Sequence, residues 1–232
     1  RETDEMRRSG RGRRRGFQIR RQSRGDDVVI GGWECRGGKT PKEARWFSIR
    51  LTPQNCSWLH CRGEPYRVIA ALELYATIFG ILAFIPEGEA SVGCGMVTGS
   101  AGTDNKGNMY AVSSMMSTKF PLNVLLMELS EQLERRNSWL RVDWTPREQN
   151  VQADALSNEQ FHEFDPGKRV ALDPAAVDWV VLPELIEAGG GLAKELEERK
   201  EQSREDRKTA REAKKRRKKL AAELTLKNRD PW

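Results

Sequence analysis

Histidine and cysteine are scarce in this chain, and their scarcity excludes several kinds of site. The 232 residues include 2 His and 4 Cys, which do not suit a disulfide framework, and no stretch predicts a secretory signal. The segment "CSWLHC" at 56–61 places a histidine between two thiols, but no second Cys/His pair follows at zinc-finger spacing. We therefore expect buried free cysteines and a nuclear or cytoplasmic protein that is not secreted.

A hydrophobic run long enough to cross a membrane is also missing. The uninterrupted apolar segment after Glu73 extends only from Leu74 to Ile85, short of the roughly 20 residues that a membrane span requires. It predicts a buried core helix, and a membrane is not an expected partner. The chain starts with Arg1 rather than Met, which suggests a fragment of a longer product.

Charge is distributed unevenly along the chain. Residues 1–24 hold 10 Lys and Arg against 3 Asp and Glu, and residues 192–232 hold 15 against 9. The segment between them holds 15 against 22. An acidic body with two basic ends is typical of a protein that binds a polyanion such as nucleic acid. An acidic body needs cations to approach a polyanion, and this points to bound metal.

The order of the predicted elements favours an α/β fold. Antiparallel strands come first and βαβ connections follow, so a mixed sheet covered by helices is the expected packing. The composition predicts strands at 27–35, 44–53, 90–99 and 138–144, a short further strand at 55–61, a loop at 103–108, and helices at 66–84, 108–117, 121–137 and from about Asn150.

Composition also divides the chain into four segments. We expect a flexible basic arm at 1–16, the folded domain at 17–163, a linker or extension at 164–191, and a charged tail at 192–232 that is helical or disordered. Three glycines, 189–191, mark the boundary before the tail. The tail has no large apolar residue between Glu197 and Lys219, so a helix there has no face to bury and should project into solvent.

Three acidic residues stand out by their position. Glu73 is isolated in the apolar helix, Asp104 follows a strand, and Asp154 lies at the start of the last short helix. Asp104 and Asp154 each have an alternative role as a helix cap or helix-dipole partner. A buried, ionised Glu73 is costly unless it is paired or metal-bound, and it is otherwise protonated. Carboxylates that converge at one end of a sheet suit Mg²⁺ or Mn²⁺, and two such ions serve phosphodiester hydrolysis.

The segments "ALELYATIFGILAF", "TDNKGN" and "WTPREQNVQADALSN" resemble, in this order, the ribonuclease H domain of retroelement reverse transcriptases, particularly that of DIRS-type and related elements. The resemblance covers about residues 17–160. It implies a ribonuclease H-like mixed five-stranded sheet with flanking helices. It also implies cleavage of the RNA strand of RNA–DNA hybrids with two Mg²⁺ or Mn²⁺ ions and no small-molecule cofactor. By this resemblance Glu73, Asp104 and Asp154 are the second, third and fourth catalytic, metal-binding acids.

The first acid of that family is missing from its expected place. Upstream of the "GGW" strand the chain has "IRRQSRG", with Arg20 and Arg21 instead of an acid. Asp26 and Asp27 are the nearest acids, and Asp27 is the candidate substitute ligand. Arginine at this place puts positive charge where the metal ions are expected. The site is therefore expected to be impaired.

The glycine-rich "TGSAG" before Asp104 is a second departure from the family pattern. It is expected to loosen the position of that acid. Two alternatives to the enzyme stay open. One is a non-catalytic nucleic-acid-binding module with the same fold. The other is a transposase- or integrase-type nuclease, against which Asp154 counts because that branch carries Glu on the last helix.

Candidate nucleic-acid contacts lie outside the carboxylates. Asn105 is adjacent to Asp104, Arg147 is a candidate phosphate contact, and Asn150 is the expected cap of the last short helix. The run "KKRRKK" is a nuclear import signal, a nucleic-acid contact or a solvated charge run, and its candidate binding residues are Lys214, Lys215, Arg216 and Arg217. Five tryptophans are expected in the core rather than as base-stacking platforms: Trp33, Trp46, Trp58, Trp139 and Trp144.

Overall fold

Residues 14–24, 27–85, 87 and 97–227 are described by a computed structural model, in which five strands form one mixed sheet. The strands are β1 (Arg14–Arg24), β2 (Asp27–Trp33), β3 (Trp46–Leu51), β4 (Val97–Thr103) and β5 (Ser138–Trp144). Their order across the sheet is β3-β2-β1-β4-β5. The first three strands pair antiparallel, whereas β4 is parallel to both β1 and β5. The predicted fold class, a mixed five-stranded sheet with flanking helices, is confirmed.

Five α-helices accompany the sheet in the described residues. They are α1 (Ile69–Phe84), α2 (Lys106–Ser114), α3 (Leu122–Arg135), α4 (Val151–Ser157) and α5 (Leu182–Lys227). The second helix begins two residues before its predicted start because the Asn105 side chain caps it, accepting from the backbone N–H groups of Gly107 and Asn108. The predicted strand at 55–61 is wrong, since this segment consists of turns.

The apolar helix α1 packs against one face of the sheet, mainly on β1 and β2, and against α3. It is buried along almost its whole length, as its uniform hydrophobicity predicts. Gly80 allows the close approach to the sheet, because a Cβ there would overlap the ring of Phe17. A side chain at this position would force the helix away from β1.

The short helix α4 packs on β1, β2 and β3. Because side chains alternate along a strand, Phe17 and Arg20 of β1 point to opposite faces, and α4 lies on the Arg20 face. A Cβ at Gly31, the register partner of Arg20, would lie 2.7 Å from the Leu156 Cβ of α4. The small residue therefore lets α4, and with it Asp154, approach the central strand. A second apolar cluster forms here, comprising Trp33, Ala44, Trp46, Ala153, Leu156 and Phe164.

The N-terminal boundary differs from the prediction. The strand β1 begins at Arg14, so part of the arm expected at 1–16 belongs to the sheet, while 1–13 lie outside the described residues. The Arg/Gly-rich composition concealed a central strand. The "TGSAG" segment, which was expected to loosen the position of Asp104, lies within β4 as regular strand. Of the strand predicted at 90–99, only residues 97–99 are described.

The segment predicted as a linker contains residues that pack against the domain. The Trp46 indole donates to the carbonyl of Asp165 at 2.8 Å, and Trp179 stacks on Tyr75 with ring centroids 5.4 Å apart. The fully buried Glu128 carboxylate accepts from the backbone N–H groups of Val180, Val181 and Leu182 at 2.9–3.2 Å. These contacts attach the extension to β3, α1 and α3.

The chain separates into two compact units, residues 1–187 and 188–232. The second unit is the greater part of α5, which continues through the three glycines at which a boundary was expected. From Glu195 to Leu220 its side chains are exposed. No helix in the described ranges is long and apolar enough to cross a membrane.

The tryptophan predictions are right for three residues and wrong for two. Trp33, Trp46 and Trp58 are buried in the core. Trp139 and Trp144 are 56% and 42% exposed on the edge strand β5. Alternation along an edge strand does not decide whether its outer face is covered.

Candidate active site

The site predicted from the three acids lies where β1 crosses the centre of the sheet, and an arginine occupies it. The Arg20 side chain is only 7% exposed. Its Nη1 donates to Asp104 Oδ2 at 2.6 Å, and its Nε lies 3.0 Å from Asp154 Oδ1. One guanidinium therefore joins two of the three predicted catalytic carboxylates, from the end of β4 and from α4.

The two contacts of Arg20 differ in geometry. The contact with Asp104 is a hydrogen bond, whereas the contact with Asp154 is an ion pair without hydrogen-bond alignment. The second oxygen of Asp154 accepts from the Asn158 side-chain amide at 3.1 Å. A planar guanidinium presents several N–H groups in a fixed fork, which suits it to neutralise two carboxylates at once.

The third acid, Glu73, is paired with the next residue of β1. Its Oε1 lies 3.7 Å from Arg21 Nε, and its side chain is 9% exposed. The pKa of Glu73 is raised to about 7, first by burial and then by the nearby Asp104 carboxylate, while Arg21 and a hydrogen bond with Asn105 oppose the change. Burial also lowers the pKa of Arg21. Glu73 is therefore close to half-protonated at neutral pH.

The alternation of β1 explains this division of the acids. Arg20 and Arg21 are consecutive, so they project to opposite faces of the sheet. Arg20 meets Asp154 from α4 on one face, and Arg21 meets Glu73 from α1 on the other. Each acid thus has an arginine of β1 as its counter-ion.

Backbone contacts from side chains hold these acids in place. The buried Asn150 amide donates to the carbonyl of Ile19 at 3.0 Å and so attaches the start of α4 beside Arg20. Asn150 occupies the N-cap position of α4 as predicted, but its side chain makes no capping hydrogen bond. The Trp144 indole donates to the carbonyl of Asp104 at 3.2 Å, and Lys106 Nζ lies 4.5 Å from the centre of that ring. Neither role was predicted from the sequence.

The side chains present do not fit the expected divalent ions. A guanidinium already neutralises Asp104 and Asp154, and within the described ranges no three His, Cys, Asp or Glu side chains are placed to hold one metal ion. Two buried carboxylate oxygens, Glu73 Oε2 and Asp154 Oδ1, do lack a hydrogen bond.

Among the remaining predicted residues, Asn105 borders this cluster, because its side chain shares a hydrogen bond with Glu73. Asp27 begins β2 opposite Arg24, in the hairpin that follows Arg20, and its side chain is not described. Arg147 is exposed in a turn of 3₁₀-helix between β5 and α4. Asn105 caps α2. The basic candidates are exposed on α5 within the second unit, and they are Lys214, Lys215, Arg216 and Arg217.

The Cys/His segment shows no sign of a zinc site. Cys56 is buried, and burial raises the pKa of its thiol. Cys61 is exposed, and His60 Nδ1 lies 3.2 Å from the carbonyl of Gly63. Cys35 is partly buried and free, and Cys94 lies outside the described residues. The expectation of buried free cysteines thus fits Cys56 but not Cys61.

Solved structures of ribonucleases H are similar to this chain at low identity. Ribonuclease H1 from the archaeon Halobacterium salinarum is 19% identical over 64% of this chain and 98% of its own length, with a TM-score of 0.42. The N-terminal ribonuclease H domain of a Mycobacterium tuberculosis protein is 17% identical over 65% and 95%, with a TM-score of 0.38. LC11-RNase H1, in a complex with an RNA/DNA hybrid, is 18% identical over 62% and 94%, also with a TM-score of 0.38. No protein-family model and no curated protein matches the chain.

Similarities of this size do not decide what the chain does. Conclusions about its chemistry rest on its own side chains. The decisive ones are Arg20 and Arg21.

Proposed function

We propose that this chain is a non-catalytic nucleic-acid-binding module with a ribonuclease H-like fold. The observation that carries the proposal is the Arg20 guanidinium held between Asp104 and Asp154. Arginine remains charged throughout the accessible pH range, so it cannot leave the pair by losing a proton. A divalent cation at the same carboxylates would face this fixed positive charge. The site therefore has no vacant carboxylate pair with which to bind a cation and activate water.

Affinity for nucleic acid comes from the basic ends of the chain. The acidic middle segment offers little attraction to phosphate, whereas residues 192–232 carry 15 Lys and Arg against 9 Asp and Glu. Lys and Arg contacts with phosphates supply most sequence-independent binding energy, and this contribution falls steeply with salt. Binding should accordingly weaken as salt rises and be indifferent to Mg²⁺.

A second candidate is metal-dependent hydrolysis of the RNA strand of RNA–DNA hybrids, as part of a retroelement reverse transcriptase. The convergence of Glu73, Asp104 and Asp154 near β1 and the two carboxylate oxygens without hydrogen bonds favour it. In this case those three acids would hold Mg²⁺ or Mn²⁺ after Arg20 moved away. A reverse-transcriptase domain encoded upstream of Arg1 would support the retroelement origin.

One assay separates the two candidates. The whole chain and its Glu73→Gln variant are incubated with a labelled RNA–DNA hybrid, with and without Mg²⁺ or Mn²⁺, and both binding and cleavage are followed. We expect binding without cleavage in every condition. Metal-dependent cleavage that the variant loses would refute the non-catalytic function, and failure of the whole chain to bind any nucleic acid would refute it as well.

A further inference from the structure

The helix α5 carries a basic face that its sequence conceals. Successive residues of an α-helix are about 100° apart around the axis. Of the positions between 200 and 218, all those that fall within one arc of about 120° around the helix axis are Lys or Arg. These eight residues, called the basic face below, are Lys200, Arg204, Arg207, Lys208, Arg211, Lys214, Lys215 and Lys218.

We propose that the basic face binds the phosphate backbone of a nucleic-acid duplex, independently of base sequence. The proposal deepens the nucleic-acid-binding function proposed above, and rests on it, by assigning the contact surface and the form of the ligand. It differs from the interpretation of "KKRRKK" as a local charge run. Three members of that run, Arg216, Arg217 and Lys219, lie outside the basic face.

The acids of the same stretch are segregated from the basic face. Glu201, Glu205, Asp206 and Glu212 all fall outside its arc. A solvated helix stabilised by its own ion pairs usually places opposite charges three or four residues apart on one face. Here the i, i+4 neighbours on the face, such as Arg204 with Lys208 and Arg207 with Arg211, carry like charges. Acids at ion-pair spacing reach only some face positions and lie at its edge, as Glu201 does beside Arg204.

Like charges at this spacing destabilise an isolated helix. All eight side chains are exposed, so burial does not compensate for this repulsion. A polyanion along the face would replace the repulsion with attraction. The arrangement therefore fits a ligand with closely spaced negative charges over the same length.

A duplex matches the basic face in length and stiffness. The face is about 27 Å long at 1.5 Å per residue, and double-stranded DNA carries about one phosphate charge per 1.7 Å of its axis. A duplex stays straight over this distance because its persistence length is about 150 base pairs. A single strand would have to lose conformational freedom to align with a straight row of charges. The face offers only Lys and Arg side chains, so its contacts with a nucleic acid are mainly with phosphates.

The test compares two variants of the whole chain that lose equal charge. The face variant changes Arg204, Arg207, Arg211 and Lys214 to Gln. The control variant changes Arg199, Arg216, Arg217 and Lys219 to Gln, which also removes three Arg and one Lys, but from positions outside the basic face. Glutamine is a good helix former, and circular dichroism of both variants verifies that α5 persists.

The probes are a 20-base-pair duplex, one of its single strands, and vesicles containing anionic lipid. We expect the face variant to bind the duplex at least about tenfold more weakly at moderate salt, with a slope of log affinity against log salt that is smaller by about 2–4. For the control variant, the logarithm of the affinity for the duplex should fall by less than a third of the fall for the face variant. The unaltered chain should bind the duplex more tightly than the single strand or the vesicles.

Equal losses of duplex affinity in the two variants would show that only total charge matters. They would overturn the proposal that the basic face is the binding surface. Tighter binding of the unaltered chain to vesicles or to the single strand would overturn the choice of ligand. If the unaltered chain binds nucleic acid and the face variant binds it equally well, this inference fails while the proposed function stands. If the unaltered chain binds no nucleic acid, both fail.

Discussion

At the scale of single residues, two consecutive arginines on β1 determine the character of the site. Arg20 neutralises Asp104 and Asp154, and Arg21 lies beside Glu73. An arginine has a fixed charge and a directional fork of donors, whereas a metal ion can exchange and can carry water. In the proposed function, the two arginines balance the charge of the carboxylate cluster without a cation that could activate water.

The raised pKa of Glu73 makes folding stability depend on pH. The folded chain holds a proton on Glu73 up to pH about 7, whereas the unfolded chain releases it near the ordinary value of 4.5. The folded state therefore binds more protons in this window, and the free energy of unfolding falls as pH rises through it. The loss attributable to Glu73 should be about 3 kcal/mol between pH 4.5 and 8.

Urea unfolding at several pH values tests this dependence. The difference in free energy of unfolding between the unaltered chain and Glu73→Gln should change across the window, since the variant cannot titrate there. Glu64→Gln, a substitution of an exposed acid, is the control. Parallel pH profiles for the unaltered chain and Glu73→Gln would show that Glu73 ionises in the folded state as it does in water.

The acids and arginines of this site could be recognised from the sequence alone, but the long-range hydrogen bonds around them could not. The isolated Glu73 in an apolar helix and the arginines in place of the first acid are local patterns, so both could be recognised. The bond from Asn150 to the carbonyl of Ile19 joins residues 131 positions apart, and no local pattern predicts it. The position of Asn150 at the N-cap of α4 could be predicted, whereas the use of its side chain to hold β1 could not.

At the scale of elements, the sheet and its helices were predictable where periodicity was strong. Both α3 and β5 were located correctly, from a stripe of leucines at 122, 125, 126, 129 and 133 and from apolar alternation over 138–144. The Arg-rich β1 was mistaken in part for a flexible arm. Its core-facing residues, Phe17 and Ile19, are too few to show a clear alternation. The role of Glu128 was also hidden, because its partners at 180–182 come some fifty residues later.

Glu128 should be important for attaching the C-terminal extension. Its buried carboxylate accepts from three consecutive backbone N–H groups and from the Gln132 amide at 2.7 Å. Glu128→Gln replaces one accepting oxygen with a donor that faces other donors. We expect the free energy of unfolding to fall by about 2 kcal/mol.

Chemical denaturation of Glu128→Gln and of the exposed control Glu134→Gln measures this effect. The control should differ from the unaltered chain by less than about 0.5 kcal/mol. Equal stability of the Glu128 variant would contradict the anchoring role.

At the scale of the whole molecule, the chain combines a folded domain with a charged helical unit. Residues 1–187 form one compact unit, and 188–232 form another. The first supplies the arginine-neutralised site, and the second supplies an exposed basic surface. In the proposed function, the fold is a scaffold and the charged unit provides affinity.

Truncation after Gly191 should therefore separate stability from binding. The free energy of unfolding of the truncated chain should change by less than about 0.5 kcal/mol, because the charged unit buries little apolar surface. Its affinity for a nucleic-acid duplex should fall at least about tenfold, since the basic face is lost. Thermal unfolding and fluorescence anisotropy measure the two quantities. A large loss of stability or unchanged affinity would contradict this division.

The claim that Arg20 takes the place of metal is tested most directly by thermal unfolding with and without Mn²⁺. Four proteins are compared: the unaltered chain, Asp154→Asn, Arg20→Asp, and Arg20→Asp combined with Asp154→Asn. An ion that binds only the folded state raises the melting temperature. We predict no effect of Mn²⁺ on the unaltered chain, a clear increase for Arg20→Asp, and a smaller one for the double variant. A Mn²⁺-dependent increase in the unaltered chain that Asp154→Asn abolishes would contradict the account.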